Sequence, residues 1–163
     1  MPSSDICKLE TDVEIKASAK KFHDMFRHKP HHIHHASSDK VQGCDLLEGE
    51  WGQVGSVVCW KFFYEGKAKV SKEIVEAIDE EKNLITFKPI EGDLLEHYKS
   101  MNFTIQATPK TDGKGSVIHW TIEYEKRHDE VPDPHPMIEY LEDLSKDLDV
   151  HLLQDIYIAK PQI

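Results

Sequence analysis

Apolar residues recur in two different rhythms along this chain. Residues 5–16 read as a first strand, loosely alternating around Cys7, Leu9, Val13 and Ile15. Ser18 follows as a helix N-cap, and Phe22, Met25 and Phe26 form an apolar stripe at helical spacing. Pro30 ends that helix, so a second short helical piece or loop is predicted over 31–37.

From Lys40 to Lys126 the period becomes two. Val41–Leu47 is one predicted strand, followed by a loop punctuated by Gly49, Gly52 and Gly55. Ser56–Tyr64 sets Val58, Trp60, Phe62 and Tyr64 on one face, and Glu65-Gly66-Lys67 turns the chain into the next strand. Over 68–79 the apolar positions are Val70, Ile74 and Ile78; over 83–90 they are Ile85 and Phe87. Gly92-Asp93 marks a turn or bulge, after which Leu95–Thr108 places Met101, Phe103, Ile105 and Ala107 together. His97 shares that parity, and Tyr98 falls on the opposite one unless a bulge shifts it. After the turn at Lys110–Gly115, residues 116–125 align Ile118, Trp120, Ile122 and Tyr124 against His119, Thr121 and Glu123.

Strands at hairpin spacing without intervening helices predict an antiparallel meander in an α+β fold. Pro132, Pro134 and Pro136 then lead stiffly into one long amphipathic helix over 136–158. Its apolar side carries Met137, Tyr140, Leu141, Leu144, Leu148, Leu152 and Ile156. A curved sheet covered by one helix encloses either a packed core or a pocket, and the pattern alone leaves both open.

Size and charge narrow the function. A chain of 163 residues forms one domain, 1–163, rather than two. No apolar run approaches the ~20 residues of a membrane helix, and Met1-Pro2-Ser3-Ser4-Asp5 lacks the signature of a signal peptide. A cytoplasmic protein without membrane insertion is expected. The net charge of −10 repels phosphate backbones and excludes nucleic acid as the expected partner. The 3 cysteines, Cys7, Cys44 and Cys59, have no close pair and read as reduced thiols rather than a disulfide framework or zinc site.

Several segments, in order along the chain, resemble the major latex protein branch of the birch-pollen-allergen family. They are Lys29-Pro30-His31-His32-Ile33-His34, Gln42-Gly43-Cys44-Asp45, Glu48-Gly49-Glu50-Trp51-Gly52-Gln53-Val54-Gly55-Ser56 and Glu73-Ile74-Val75-Glu76-Ala77-Ile78-Asp79. The likeness continues through Ile90-Glu91-Gly92-Asp93-Leu94, His119-Trp120-Thr121-Ile122-Glu123-Tyr124-Glu125-Lys126 and Pro132-Asp133-Pro134. The resemblance implies the START-like helix-grip fold: a seven-stranded curved antiparallel sheet, two short helices after the first strand, and a long C-terminal helix. It also implies a large internal hydrophobic cavity, with sterols, flavonoids, fatty acids or hormone-like molecules as ligands, and a place in plant defence or stress response.

Three motifs invite other chemistry. The loop Gly49–Gly55 has neither the Lys nor the following helix of a phosphate-binding loop, so its glycines read as turn residues. His28, His31, His32, His34 and His35 lie within eight residues; without supporting carboxylates or cysteines they read as a solvated rim rather than a metal site. With ordinary ionisation near about 6.5 they would make a cavity mouth pH-sensitive. In the related alkaloid-condensing enzymes a cavity Lys and carboxylates move protons; strand 116–125 has no Lys, which leaves His97 as the candidate base. The turn Tyr64-Glu65-Gly66-Lys67 differs from the gate of the related abscisic acid receptors.

The first expectation is therefore a non-catalytic carrier of a small hydrophobic ligand, without cofactor or metal, monomeric or weakly dimeric. Its predicted lining is Phe22, Phe26, Trp60, Phe62, Ile85, Phe87, His97, Met101, Phe103, Trp120, Tyr140, Leu141, Leu144 and Leu148. The alternatives are an alkaloid-condensing enzyme and a protein-interaction module working through the acidic surface.

Overall fold

The computed structural model describes residues 5–159, with side chains to residue 154. The chain's first four residues and the place of Ile156 on the helix stripe lie outside what is described. Strand β1 (Ile6–Ile15) is followed by helix α1 (Ala19–Arg27), a 3-10 turn (Pro30–His32) and helix α2 (Ile33–Ala36). Six strands succeed them: β2 (Val41–Glu48), β3 (Val57–Tyr64), β4 (Lys67–Asp79), β5 (Leu84–Gly92), β6 (Tyr98–Pro109) and β7 (Ser116–Lys126). A 3-10 turn at Asp93–Leu95 joins β5 to β6, and helix α3 (His135–Ala159) is the last described element.

The strands form one seven-stranded sheet in the order β1-β7-β6-β5-β4-β3-β2, with antiparallel pairing throughout. Consecutive hairpins carry β2 to β7, and β1 joins the far edge beside β7. Ser18 caps α1 as its spacing predicts, its hydroxyl accepting from Lys21 N at 3.2 Å.

α3 lies across the concave face and is fastened to both edge strands. At the β1 edge, the Asp149 carboxylate accepts from Lys16 N and Ala17 N at 3.0 and 2.8 Å, and Thr11 donates to Glu142. At the β2 edge, Lys40 Nζ and Ser37 Oγ both reach Asp147, at 2.8 and 2.6 Å, while Tyr140 donates to Lys40 O at 2.8 Å. The acidic side of α3 thus supplies the clamps and its apolar side the core. The proline lead-in is held as well: Tyr98 donates to Pro132 O, and Tyr124 to Asp133 at 2.6 Å.

Two strand faces matter for the interior. In β4 the inward side chains are Ser71, Glu73 and Val75, while the apolar Val70 is 44 % exposed. Polar Ser71 and Glu73 disguise the inward parity, and a bulge between Val75 and Ala77 then restores Ile78, paired with Ile85, to the inner side. In β6, residues 95–97 are turn rather than strand, and a register shift between Tyr98 and Ser100 resets the parity. His97 accordingly points to solvent with its side chain 67 % exposed.

Candidate functional site: an apolar cavity with one buried acid

The sheet and α3 enclose a cavity drawn from every layer of the fold. β3 contributes Trp60 and Phe62, β5 Phe87, β6 Phe103 and Ile105, and β7 Trp120. α3 covers it with Met137, Tyr140, Leu141 and Leu144, while Phe26, Val41 and Leu94 close its sides. Phe26 is the hinge of an aromatic chain: its ring sits 5.5 Å edge-on to Trp120 and 6.4 Å from Trp60, which in turn meets Phe87 edge-on at 5.8 Å. The space left open to the centre of a water-sized sphere is about 80 Å³, well above the roughly 15 Å³ that admits one water. That is enough for a compact apolar group, and a larger guest requires the aromatic walls to turn.

Nine of the side chains predicted to line the cavity do so: Phe26, Trp60, Phe62, Phe87, Phe103, Trp120, Tyr140, Leu141 and Leu144. Five do not. Phe22, Ile85, Met101 and Leu148 are 0–1 % exposed, enclosed on all sides in the packed core with no surface turned to open space. His97 fails for the opposite reason, standing in solvent at the start of β6.

The residue missed from the sequence is Glu73. It is 5 % exposed and belongs to the cavity lining, where every other member is apolar or aromatic. Ser71 Oγ donates to Glu73 Oε2 at 2.7 Å, and burial pushes the carboxyl up to about 7 against that hydrogen bond. A carboxylate among charges in a strand ordinarily faces water. Only the clash between the polar parity of Ser71 and Glu73 and the inward Val75 two residues on could have signalled it. Tyr140 also lines the cavity, but its hydroxyl is committed to Lys40 O at the rim. Trp120 Nε1 is likewise satisfied, by Ser145 Oγ at 2.7 Å.

The histidine cluster does other work. His31 stacks on Trp51 with ring centroids 4.2 Å apart, and burial and its neighbours His32 and His34 hold its imidazole below the usual range. His28 packs against Gly52, whose φ is +80°; a Cβ there would meet His28 Nδ1 at 2.5 Å. Arg27 Nε donates to Gly52 O at 3.3 Å. These contacts seat the glycine loop on the end of α1 and the 3-10 turn that follows it. None of the five histidines lines the apolar cavity; His32 and His35 instead border a wide surface cleft with Lys21, Lys29 and His151. Among the described residues no three His, Cys, Asp or Glu side chains converge to hold a metal ion. The three cysteines are free thiols, and no described helix is long and apolar enough to cross a membrane.

The order of elements, the grip of α3 and the aromatic cavity coincide with a known family, whose profile matches residues 5–155: the pathogenesis-related protein Bet v 1 family. The chain belongs to that family. Within it, the chain is 56 % identical to MLP-like protein 31 of Arabidopsis thaliana over 94 % of its own length and 90 % of that protein's. Major latex-like protein 151 of Panax ginseng has the same fold at a TM-score of 0.86, with 39 % identity over 91 % of this chain and 98 % of the other. A norcoclaurine synthase from Thalictrum superposes at a TM-score of 0.72 with 18 % identity, over 95 % of this chain and 99 % of the synthase, a likeness of fold alone. Bet v 1 family membership supports a ligand-binding role in general, and the major latex proteins are the branch to which these relatives point.

Proposed function

We propose that this protein is a non-catalytic carrier or reservoir for small hydrophobic metabolites of the sterol, flavonoid, fatty-acid or hormone-like kind, held between the sheet and α3 and serving plant defence or stress response. The observation that carries this reading is the cavity wall: aromatic and aliphatic side chains from five strands and two helices around a space with one polar group, from a sixth strand. Burial of apolar ligand surface there contributes about 25 cal/mol per Å², and so sparse a polar set favours a range of guests over a single one. An alkaloid-condensing activity is the weaker reading, since its candidate base His97 stands in solvent away from the cavity. The carrier works as a monomer or weak dimer in the cytoplasm.

The test is displacement of a fluorescent apolar dye, compared between the native chain and Leu144→Trp, which fills the cavity from α3. Dye binding that drops at least tenfold in a folded Leu144→Trp protein is the expected result. Equal binding by both proteins would place the guest elsewhere and end this reading.

A further inference from the structure

Glu73 is set where an apolar container has no need of an acid. Its Cα partners are Val58 in β3 and Pro89 in β5, and its side chain projects into the cavity beneath α3. Among the described residues no cation pairs with it, and its carboxyl has a single hydrogen-bond partner, Ser71, itself fully buried. Ser71 occupies Oε2, which leaves Oε1 to accept once the carboxyl is ionised, above about pH 7. Two thiols feel its charge, the buried Cys44 of β2 and Cys59 of β3, and burial raises both above the ordinary thiol range. β5 offers only Pro89 opposite, and from α3 the hydroxyl of Tyr140 is turned away to Lys40 O.

A guest that covers this carboxyl with hydrocarbon leaves its second oxygen without a partner, which is costly for a buried acceptor. A guest that ends in O–H or N–H supplies one. A guest that ends in a carboxylate adds a second negative group to an apolar space, where one carboxyl is already difficult to ionise.

We propose that Glu73, positioned by Ser71, is the polar anchor of the cavity and selects apolar molecules that end in a hydrogen-bond donor, a hydroxyl or an amine, over those that end in an ether or a carboxylate. This rests on the container reading above and narrows its ligand class: among candidate guests, hydroxylated ones are favoured and free fatty acids disfavoured. The anchor orients the guest with its head toward β4 and its apolar body along Trp60, Phe87 and Phe103.

A rigid set of naphthalenes that share one ring system and differ in the head group tests this on the full chain at pH 7.5 by calorimetry: 2-naphthol, 2-naphthylamine, 2-methoxynaphthalene and 2-naphthoate. The native protein is expected to bind at least one donor compound tenfold or more tighter than the ether and the carboxylate. Preference for 2-naphthol alone assigns a hydroxyl head, and for 2-naphthylamine alone an amine. Glu73→Leu should bring the donor compounds and the ether within twofold of each other while the ether still binds. Glu73→Gln keeps an acceptor and adds an N–H donor, so it should still bind the donor compounds while admitting the ether and 2-naphthoate as well. Equal binding of 2-naphthol, 2-naphthylamine and the ether by the native protein overturns the anchor, as does a donor preference unchanged in Glu73→Leu. Dye binding with no binding of any naphthalene also overturns it, whereas loss of dye binding as well removes the container itself.

Discussion

Trp120 Nε1 donates to Ser145 Oγ at 2.7 Å, a buried hydrogen bond that joins the middle of β7 to the middle of α3. Ser145 passes its own proton to Leu141 O at 2.8 Å, so the indole is tied into the helix backbone. One of the two indoles of the cavity wall is thereby held in one orientation. Ser145→Ala leaves the indole N–H without a partner in the core, and a loss of about 1–3 kcal/mol is expected. Urea denaturation checks it; a change of a few tenths of a kcal/mol would mean that Trp120 finds another acceptor.

Glu73 makes stability depend on pH with a definite sign. Its carboxyl moves from 4.5 to about 7 on folding, so between these values the unfolded chain gives up a proton that the native protein keeps. The native state is therefore favoured in acid, and its advantage falls as pH rises through that window, by something on the order of 3 kcal/mol. Glu73→Gln removes this dependence: the variant should match the native protein near pH 4.5 and exceed it at pH 8. Urea midpoints of both proteins at the two pH values measure the difference.

His23 has the opposite slope. It is 3 % exposed on α1, and among the described residues neither ring nitrogen has a hydrogen-bond partner. Burial holds it below the usual imidazole range, so the native protein keeps it neutral while the unfolded chain takes up a proton as pH falls below 6.5. His23→Leu, close to it in volume, should raise stability at neutral pH by about 1–3 kcal/mol by removing two unsatisfied polar atoms. It should also lose less stability than the native protein between pH 7 and pH 5, as thermal midpoints at both pH values would report.

Gly52→Ala addresses the seating of the glycine loop. Positive φ and the His28 ring 2.5 Å from a Cβ act together, for an expected cost of about 1–3 kcal/mol, or several degrees in thermal midpoint. His28→Ala in the same chain should recover the part due to the clash and leave the part due to backbone strain. Recovery of the whole loss would show that φ contributes nothing.

The chain's local rhythm determined a good deal by itself. Alternation of Trp60 with Phe62 and of Met101 with Phe103, turn residues at Glu65-Gly66 and Lys110–Gly115, and the stripe Met137–Leu152 settle the meander and the helix that must cover it, because period and turn chemistry are properties of neighbours in sequence. So is the Ser18 cap. Whether a buried ring lines space or is merely enclosed is not such a property. Phe22 and Phe26 lie on one face of α1, yet Phe26 borders the cavity and Phe22 does not. Their difference depends on what β6, β7 and α3 bring against each ring.

Bulges decided the rest. One extra residue in β4 and one near the start of β6 invert which side chains look inward. Alternation cannot register them when the inward residues are Ser71 and Glu73. The fold thus took His97, the candidate acid–base group, out to solvent and drew in an acid that the sequence offered as one more surface charge. Burial gives Glu73 its altered ionisation, and burial is conferred only when all the layers have closed.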